Sequence, residues 1–264
     1  MGSDNEIIRF GVAIIESIPD GEMHTGRMIY EDIMLPKRYA DDTLFYDYYT
    51  AKTVSEFEDA VHTIINKHQD NEMLALHVEA HGCEDGVSLA SGELLDWKGF
   101  LNLCRDLNNE LNGLLCVTTA LCYSISLMAA IDPANRAPFK AVVITRRPVI
   151  ANEILKGYTA YFSIYRNILD IGPAKEAMRK VVNSGDEASS PFEMITAEWL
   201  FDQITNPDRD PDAFMHIVNK WFCIKKSEDS TYTRERVESE IRSLFENLVK
   251  NGRDFFLYKD IFQG

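Results

Sequence analysis

Met73-Leu74-Ala75-Leu76-His77-Val78-Glu79-Ala80-His81-Gly82 is the stretch on which the fold turns. Leu74, Leu76, Val78 and Ala80 share one face of an extended chain, and His77, Glu79 and His81 share the other. The run is short, apolar on alternate positions and closed by glycine, so it predicts a strand from Met73 to Ala80 that ends at His81-Gly82. A strand buried on both faces reads as nearly continuous apolar sequence. Three polar residues on one face therefore invite a functional explanation, but for His77 and Glu79 the preferred reading is that the face around them is only partly covered. His81 is read differently, as a functional residue, because it stands at the strand end and glycine follows it.

Upstream, Ile7 to Ile18 is an apolar β-branched run predicted as a first strand, followed by an irregular Gly/Met/Pro-containing stretch to about Arg38. Phe45 to Thr50 is a second strand. Ser55 is the expected N-cap of a helix through Lys67 whose apolar face carries Phe57, Val61, Ile64 and Ile65. Downstream, Asp85-Gly86 turns into a small hairpin, Val87–Leu89 with Glu93–Leu95, and Asp96 caps a helix from Trp97 to about Leu111. Leu114 to Leu121 is an apolar strand that delivers Cys122, Ser126 to Ile131 starts another helix, and Lys140 to Thr145 is a strand ending at Arg146-Arg147. Strands alternating with helices at short intervals predict an α/β domain, a mostly parallel sheet flanked by helices on both faces. Right-handed crossovers bring strand carboxyl ends to one edge, where ligands bind in such sheets, and His81, Cys122 and Arg146 all fall there.

Beyond Arg147 the pattern predicts a helix from Asn152 to Leu169, a shorter one from Ala174 to Val182 after Gly172-Pro173, and a loop from Gly185 to Ser190. Ser190 with Glu193 fits a capping box, but Phe192 to Thr196 alternates like an edge strand, and a strand followed by a helix through Phe201 is the preferred reading. The Asp/Pro segment Asn206 to Pro211 then separates a helical tail. Its best helix is Arg234 to Lys250, with Val237, Ile241, Leu244 and Leu248 on one face. The expected organisation is a domain over 4–205 and a helical C-terminal appendage over 206–264.

Of 264 residues, 45% are hydrophobic and 26% charged, an ordinary globular balance. The net charge of −15 repels phosphate backbones and argues against nucleic acid as a partner. Cys83, Cys104, Cys116, Cys122 and Cys223 are an odd set without metal spacing, and no apolar signal segment opens the chain, so reduced thiols in a cytoplasm are expected. Leu111 to Ile131 carries no charge, but Asn112, Thr118, Thr119, Ser124 and Ser126 within it favour a buried strand running into a helix over a membrane span.

Thiol hydrolysis needs a thiolate, an imidazole beside it and donors aimed at the developing oxyanion. A free cysteine has a pKa of about 8.5, so a histidine neighbour is what makes it reactive near neutrality. Cys122 and His81, at the ends of adjacent strands, meet that need, and Gly82 lets the backbone come close to a substrate carbonyl. Cys83 is a rival nucleophile, displaced by its position next to His81-Gly82 along the chain. Arg146 and Arg147 are candidates for binding an acidic side chain or carboxylate of a substrate, or else solvated residues at a strand end. No G-x-G-x-x-G, P-loop, G-x-S-x-G or H-E-x-x-H pattern occurs, and neither cofactor nor metal is expected.

Leu76-His77-Val78-Glu79-Ala80-His81-Gly82 with Gly86-Val87, followed by Val117-Thr118-Thr119-Ala120-Leu121-Cys122-Tyr123-Ser124, resembles the caspase-like cysteine peptidases, most of all their bacterial CHAT branch. Ala174 to Met178 and Phe192 to Thr196 also resemble that branch, so the similarity spans roughly three quarters of the chain. The resemblance implies a caspase-like fold, His81 as base or ion-pair partner, Cys122 as nucleophile and the N–H groups of Gly82 and Cys122 as oxyanion hole. It also implies a protein substrate, an activating protein partner or signal, and a role in bacterial defence or death-like signalling. The chain departs from the family where Tyr123 and Ser124 replace a glycine that many members have after the nucleophile. Leu121 stands where members that cut after basic residues have an acid. Two other readings stand beside the peptidase: a catalytically silent caspase-like interaction module, and a flavodoxin-like or Rossmann-like small-molecule binder, against which the missing phosphate loop counts.

Overall fold

The computed structural model describes residues 9–41, 43–68, 72–166, 170–182 and 190–261. Ile7 and Ile8 of the first expected strand, the end of the helix expected to Leu169, and most of the loop expected from Gly185 lie outside the described residues.

Among the described residues eight strands form: β1 (Arg9–Ser17), β2 (Leu44–Thr50), β3 (Glu72–Gly82), β4 (Gly86–Ser88), β5 (Leu94–Asp96), β6 (Cys116–Ala120), β7 (Ala141–Thr145) and β8 (Phe192–Thr196). The main sheet runs β2-β1-β3-β6-β7-β8. Its pairs are parallel except β7–β8, which is antiparallel. β4 and β5 form the expected hairpin, paired to the end of β3 with His81 opposite Ser88 and Gly82 opposite Val87. The chain is thus the α/β protein with a mostly parallel sheet that its alternating pattern predicts.

One face of the sheet, carrying Val12, Ile14, Ala75, Cys116, Ala120 and Val143, packs against α5 (Ala151–Ile164) and α6 (Ile171–Val182). On the opposite side Ala13, Ile15, Leu76, Val78 and Val117 are equally buried. That side belongs to α3 (Val54–Lys67) and α4 (Trp97–Glu110), whose Phe57 and Phe100 rings lie 6.3 Å apart. Asp96 caps α4 by accepting the Gly99 N–H at 2.6 Å.

Several local expectations need correction. The stretch to Arg38 is helical, with α1 (Thr25–Ile29), a π turn (Tyr30–Met34) and α2 (Leu35–Ala40). Gly26 and Pro36 read as breakers but are not: Pro36 sits in the first turn of α2, where a missing N–H has no helical partner to lose. Gly26 packs directly against Glu79, since a Cβ there would stand 2.3 Å from Glu79 Oε2 and would force that carboxyl to shift. Thr53, rather than Ser55, caps α3, accepting the Glu56 N–H at 3.2 Å. α5 ends at Ile164, and α6 takes Gly172-Pro173 into its first turn. After β6 the chain forms a 3-10 helix from Ser124 to Ala130, and no helix among the described residues is long and apolar enough to cross a membrane.

The chain divides into two compact units, one made of Met1–Ile131 with Pro138–Thr196 and the other of Asp132–Ala137 with Ala197–Gly264. The second holds α7 (Ala197–Ile204), α8 (Pro211–Glu228), α9 (Arg234–Asn247) and α10 (Arg253–Phe256). α8 and α9 meet through buried Phe214, Val218, Val237, Ile241 and Phe245. Strict i, i+4 steps from Val237 carry the buried face to Phe245, and the expected Leu244 is 55% exposed instead.

Candidate active site

The parallel pairing of β3 with β6 places Glu79 opposite Ala120. His81 and Cys122 each lie two residues further on, so they reach the end of the sheet side by side and, by the two-residue alternation of a strand, toward the same face. The Cys122 thiol lies 4.0 Å from the Val149 carbonyl, at the lead-in to α5 and so on the side that α5 covers. Gly82 and Cys122 are in main-chain contact: a Cβ on Gly82 would fall 2.2 Å from the Cys122 carbonyl oxygen and 2.9 Å from its nitrogen. Only glycine allows that approach.

The turn that presents Cys122 is held from below. Tyr123 takes φ 57°, ψ 24°, a left-handed conformation that glycine adopts freely and that costs a tyrosine about 1 kcal/mol. Ser124 Oγ meets Thr119 Oγ1 at 2.8 Å and accepts the Thr145 N–H at 2.7 Å, while Thr145 Oγ1 donates to the Leu121 carbonyl. Tyr158 on α5 donates to the Thr119 carbonyl at 2.7 Å. This buried network stands in place of the freedom that a glycine after Cys122 would give.

His81 is half-exposed, and its Nε2 lies 3.0 Å from Glu22 Oε2. No hydrogen bond joins His81 to Cys122 among the described residues. Cys83 turns its thiol toward the Gly86 carbonyl at 3.5 Å, into its own hairpin. Burial pushes the Cys116 thiol up to about 12, against hydrogen bonds from Tyr161 and Tyr165 that act the other way, and burial also pushes Cys104 up. Both therefore remain thiols at neutral pH.

His77 and Glu79 lie on a fully covered face, at 0% and 1% exposure, which corrects the expectation that the face around them is only partly covered. The rings of Tyr158 and Phe162 close over His77 at 4.5 and 5.3 Å. Burial lowers the His77 imidazole to about 3, with a hydrogen bond to the Thr118 backbone opposing the shift, and its Nδ1 lies 2.9 Å from Thr118 Oγ1. Burial first, and the Glu16 charge second, raise Glu79 well above the carboxylate range. His77 Nε2 and Glu79 Oε2 are 4.0 Å apart, yet neither atom has a hydrogen-bond partner among the described residues. A neutral imidazole and a neutral acid at that separation form no ion pair. Glu79 accepts the Thr25 hydroxyl, and Glu16, its neighbour in register on β1, accepts the Arg27 N–H at 3.1 Å and meets His24 Nδ1 at 2.8 Å.

The two arginines after β7 separate in role. Arg147 forks onto Glu153 in the first turn of α5, Nη2 to Oε1 at 2.8 Å and Nη1 to Oε2 at 3.3 Å, and donates to the Pro148 carbonyl as well. Among the described residues the Arg146 guanidinium donates through Nε, to Glu193, and its backbone N–H donates to the Pro191 carbonyl at 3.0 Å. No group of three or more His, Cys, Asp or Glu side chains among the described residues is arranged to hold a metal ion.

No protein-family model matches the chain, and no curated protein matches it. Among solved structures it is similar to the Drosophila initiator caspase Dronc, with 12% sequence identity and a TM-score of 0.49 over 74% of this chain and 86% of that one.

The sequence pattern pointed to His81, Gly82 and Cys122 and missed Glu22 and Thr145. Glu22 is 59 residues from His81 in a Gly-containing loop, with no periodicity to mark it. Thr145 is one β-branched residue in a strand of five, and only the register reveals that its hydroxyl supports Leu121.

Proposed function

We propose that the chain is a cysteine endopeptidase with His81 and Cys122 as its catalytic pair. The observation that carries this reading is the β3–β6 register, which gives a thiol and an imidazole neighbouring strand ends at equal height, with the Gly82 main chain against that of Cys122. The motifs shared with caspase-like peptidases support the same pair.

In the proposed reaction His81 accepts the Cys122 proton, and the thiolate sulfur forms a bond to the scissile carbonyl carbon. The N–H groups of Gly82 and Cys122 donate to the resulting oxyanion. The C–N bond breaks as His81 returns the proton to the leaving amine, and water then hydrolyses the thioester to free Cys122 and the new carboxylate. His81 Nε2 is engaged by Glu22, so the proposal assigns the thiol proton to Nδ1, the other ring nitrogen, with the carboxylate orienting the ring. A protein substrate, an activating partner and a role in bacterial defence belong to the same proposal and rest on the likeness to the CHAT branch, and a cytoplasmic setting belongs to it on the odd, scattered set of cysteines.

A thiol-reactive peptide probe should label Cys122 in the activated protein. Cys122→Ala and His81→Ala should each lower turnover by roughly a thousandfold or more while leaving the thermal melt in place, since members of one catalytic unit disable the same step. Cys83→Ser should keep most activity. Wild-type rates in Cys122→Ala, or an equal loss in Cys83→Ser, would sink the assignment.

A further inference from the structure

Glu16 and Glu79 stand opposite each other in register on β1 and β3, and both are buried. Two carboxyls side by side inside a sheet cost free energy that an apolar pair would not, unless donors are arranged around them. The start of α1 brings most of those donors. Thr25 donates its hydroxyl to Glu79 Oε1, the Arg27 N–H donates to Glu16 Oε1 at 3.1 Å, and His24 Nδ1 meets Glu16 Oε2 at 2.8 Å. From β2, the Tyr48 hydroxyl donates to the same Oε2 at 2.5 Å. Gly26 lies against both carboxyls, since a Cβ there would stand 2.3 Å from Glu79 Oε2 and 3.0 Å from Glu16 Oε1.

Only residues 18–24 lie between the end of β1 and the start of α1, and both ends of that loop are tied down. At one end Ser17 Oγ accepts the Ala90 N–H at 2.9 Å. Within the loop Gly21 takes φ 97° and the Glu22 N–H donates to the Pro19 carbonyl at 3.2 Å. At the other end Glu16 holds His24 and the Arg27 backbone. Glu22 is carried by this loop, and its Oε2 lies 3.0 Å from His81 Nε2. Both members of that pair are half-exposed, and an exposed pair is weak by itself, so its geometry depends on how firmly the Glu22 backbone is held. Glu79 and His81 share one face of β3, about 7 Å apart along the strand, which sets the anchored start of α1 one step from the imidazole.

We propose that Glu16 is a positioning residue for the reaction: by holding the start of α1 it sets Glu22 against His81 Nε2 and so fixes the ring whose Nδ1 takes the thiol proton. The inference rests on the peptidase reading for its effect on rate and on the anchored loop for its geometry. An apolar side chain at this place in β1 would fill the same space at lower cost. What the carboxyl adds is direction, because its two oxygens tie the end of β1 to β2 on one side and to the start of α1 on the other.

The test uses full-length protein carrying isotope-labelled histidine, with the His81 ring cross-peak assigned by its loss in His81→Asn. Glu22→Gln should move that peak, and Glu16→Gln should move it the same way by at least half as much. The double variant should move it no further than Glu22→Gln, because both changes act on one contact. His24→Ala, at a partly exposed partner of Glu16, should give a smaller shift in the same direction and carries the test if Glu16→Gln does not fold. Asp47→Asn, which breaks the contacts of Asp47 with Lys67 and His68 on the other face of β2 from Tyr48, should leave the peak in place and controls for general loosening. An unmoved His81 peak in Glu16→Gln and His24→Ala, or shifts that add in the double variant, would overturn the proposal. Rates are then read on whichever peptide of a pooled decapeptide library the wild-type protein cuts fastest. Glu16→Gln and Glu22→Gln should each lower kcat by about tenfold or more with KM within about twofold, and the double variant should be no slower than the slower single one. Unchanged kcat in Glu16→Gln would overturn the positioning role even where the ring moves. Ring shifts in the expected pattern, with no peptide cut by the wild-type protein, would remove the peptidase reading and leave Glu16 as the anchor of the Glu22–His81 contact.

Discussion

Burial acts on Glu79 and His77 in opposite senses, and the pair gives stability a distinctive pH profile. The folded chain keeps a proton on Glu79 that the unfolded chain releases above its ordinary value of 4.5, so this stabilisation is full below pH 4.5 and is lost as pH rises toward the raised value. His77 falls from 6.5 to about 3, so its contribution is full above pH 6.5 and is lost as pH falls toward 3. Between pH 4.5 and 6.5 the folded pair holds one proton on Glu79, the unfolded pair holds one on histidine, and the two slopes cancel. Above pH 6.5 only the Glu79 slope remains, about 1.4 kcal/mol per pH unit until its folded value is passed. Glu79→Gln keeps the shape and removes the proton. Urea unfolding at pH 6.5 and about 7.5 should therefore show wild type losing more stability across that unit than the Gln variant. Equal losses in the two proteins would mean that Glu79 is ionised inside the fold.

Among the elements, α3 shows where sequence reading was sound and where it slipped. Its apolar face was legible because Phe57, Val61 and Ile64 recur at helical spacing, and all three are buried. Its start was not, because Thr53 and Ser55 are both capping types and only coordinates show which hydroxyl meets a free N–H. Thr53→Ala should lower stability by about 1 kcal/mol and Ser55→Ala by less than about 0.5 kcal/mol in denaturant unfolding. The reverse order would restore Ser55 as the cap. The same division holds for the candidate site. Strand ends at His81 and Cys122 could be read because apolar runs stop there, whereas their equal height depends on a register between segments 41 residues apart, about which local pattern is silent. α1 and α2 escaped notice because Gly26 and Pro36 break helices in general. Here the first lets the helix pack closely against Glu79 and the second is harmless in a first turn.

At the scale of the whole molecule, the second unit is discontinuous in sequence, since Asp132–Ala137 belongs with the residues that follow Ala197. Arg136 ties this short segment to the rest of the unit. Its guanidinium forks onto Asp260, Nη1 to Oδ1 at 2.9 Å and Nη2 to Oδ2 at 2.7 Å. It also stacks over the Phe255 and Tyr258 rings at 4.4 and 4.7 Å. Backbone bonds reinforce the placement, with the Ala137 N–H donating to the Phe256 carbonyl at 3.0 Å and the Tyr258 hydroxyl to the Ala137 carbonyl at 3.2 Å. Exposed ion pairs are usually weak, but a bidentate one on an arginine held by two rings is the exception, and the stacking contributes about 0.5–1 kcal/mol beyond the charge. Arg136→Ala should therefore unfold at lower denaturant than Asp260→Ala, which leaves the stacking intact. The double variant should unfold with Arg136→Ala and no earlier, because once the guanidinium is gone the carboxylate has lost that partner. A double variant that loses the sum of the two single effects would show that Arg136 and Asp260 act independently. The six-residue excursion would then be held to the second unit by its backbone bonds and ring contacts, without the ion pair.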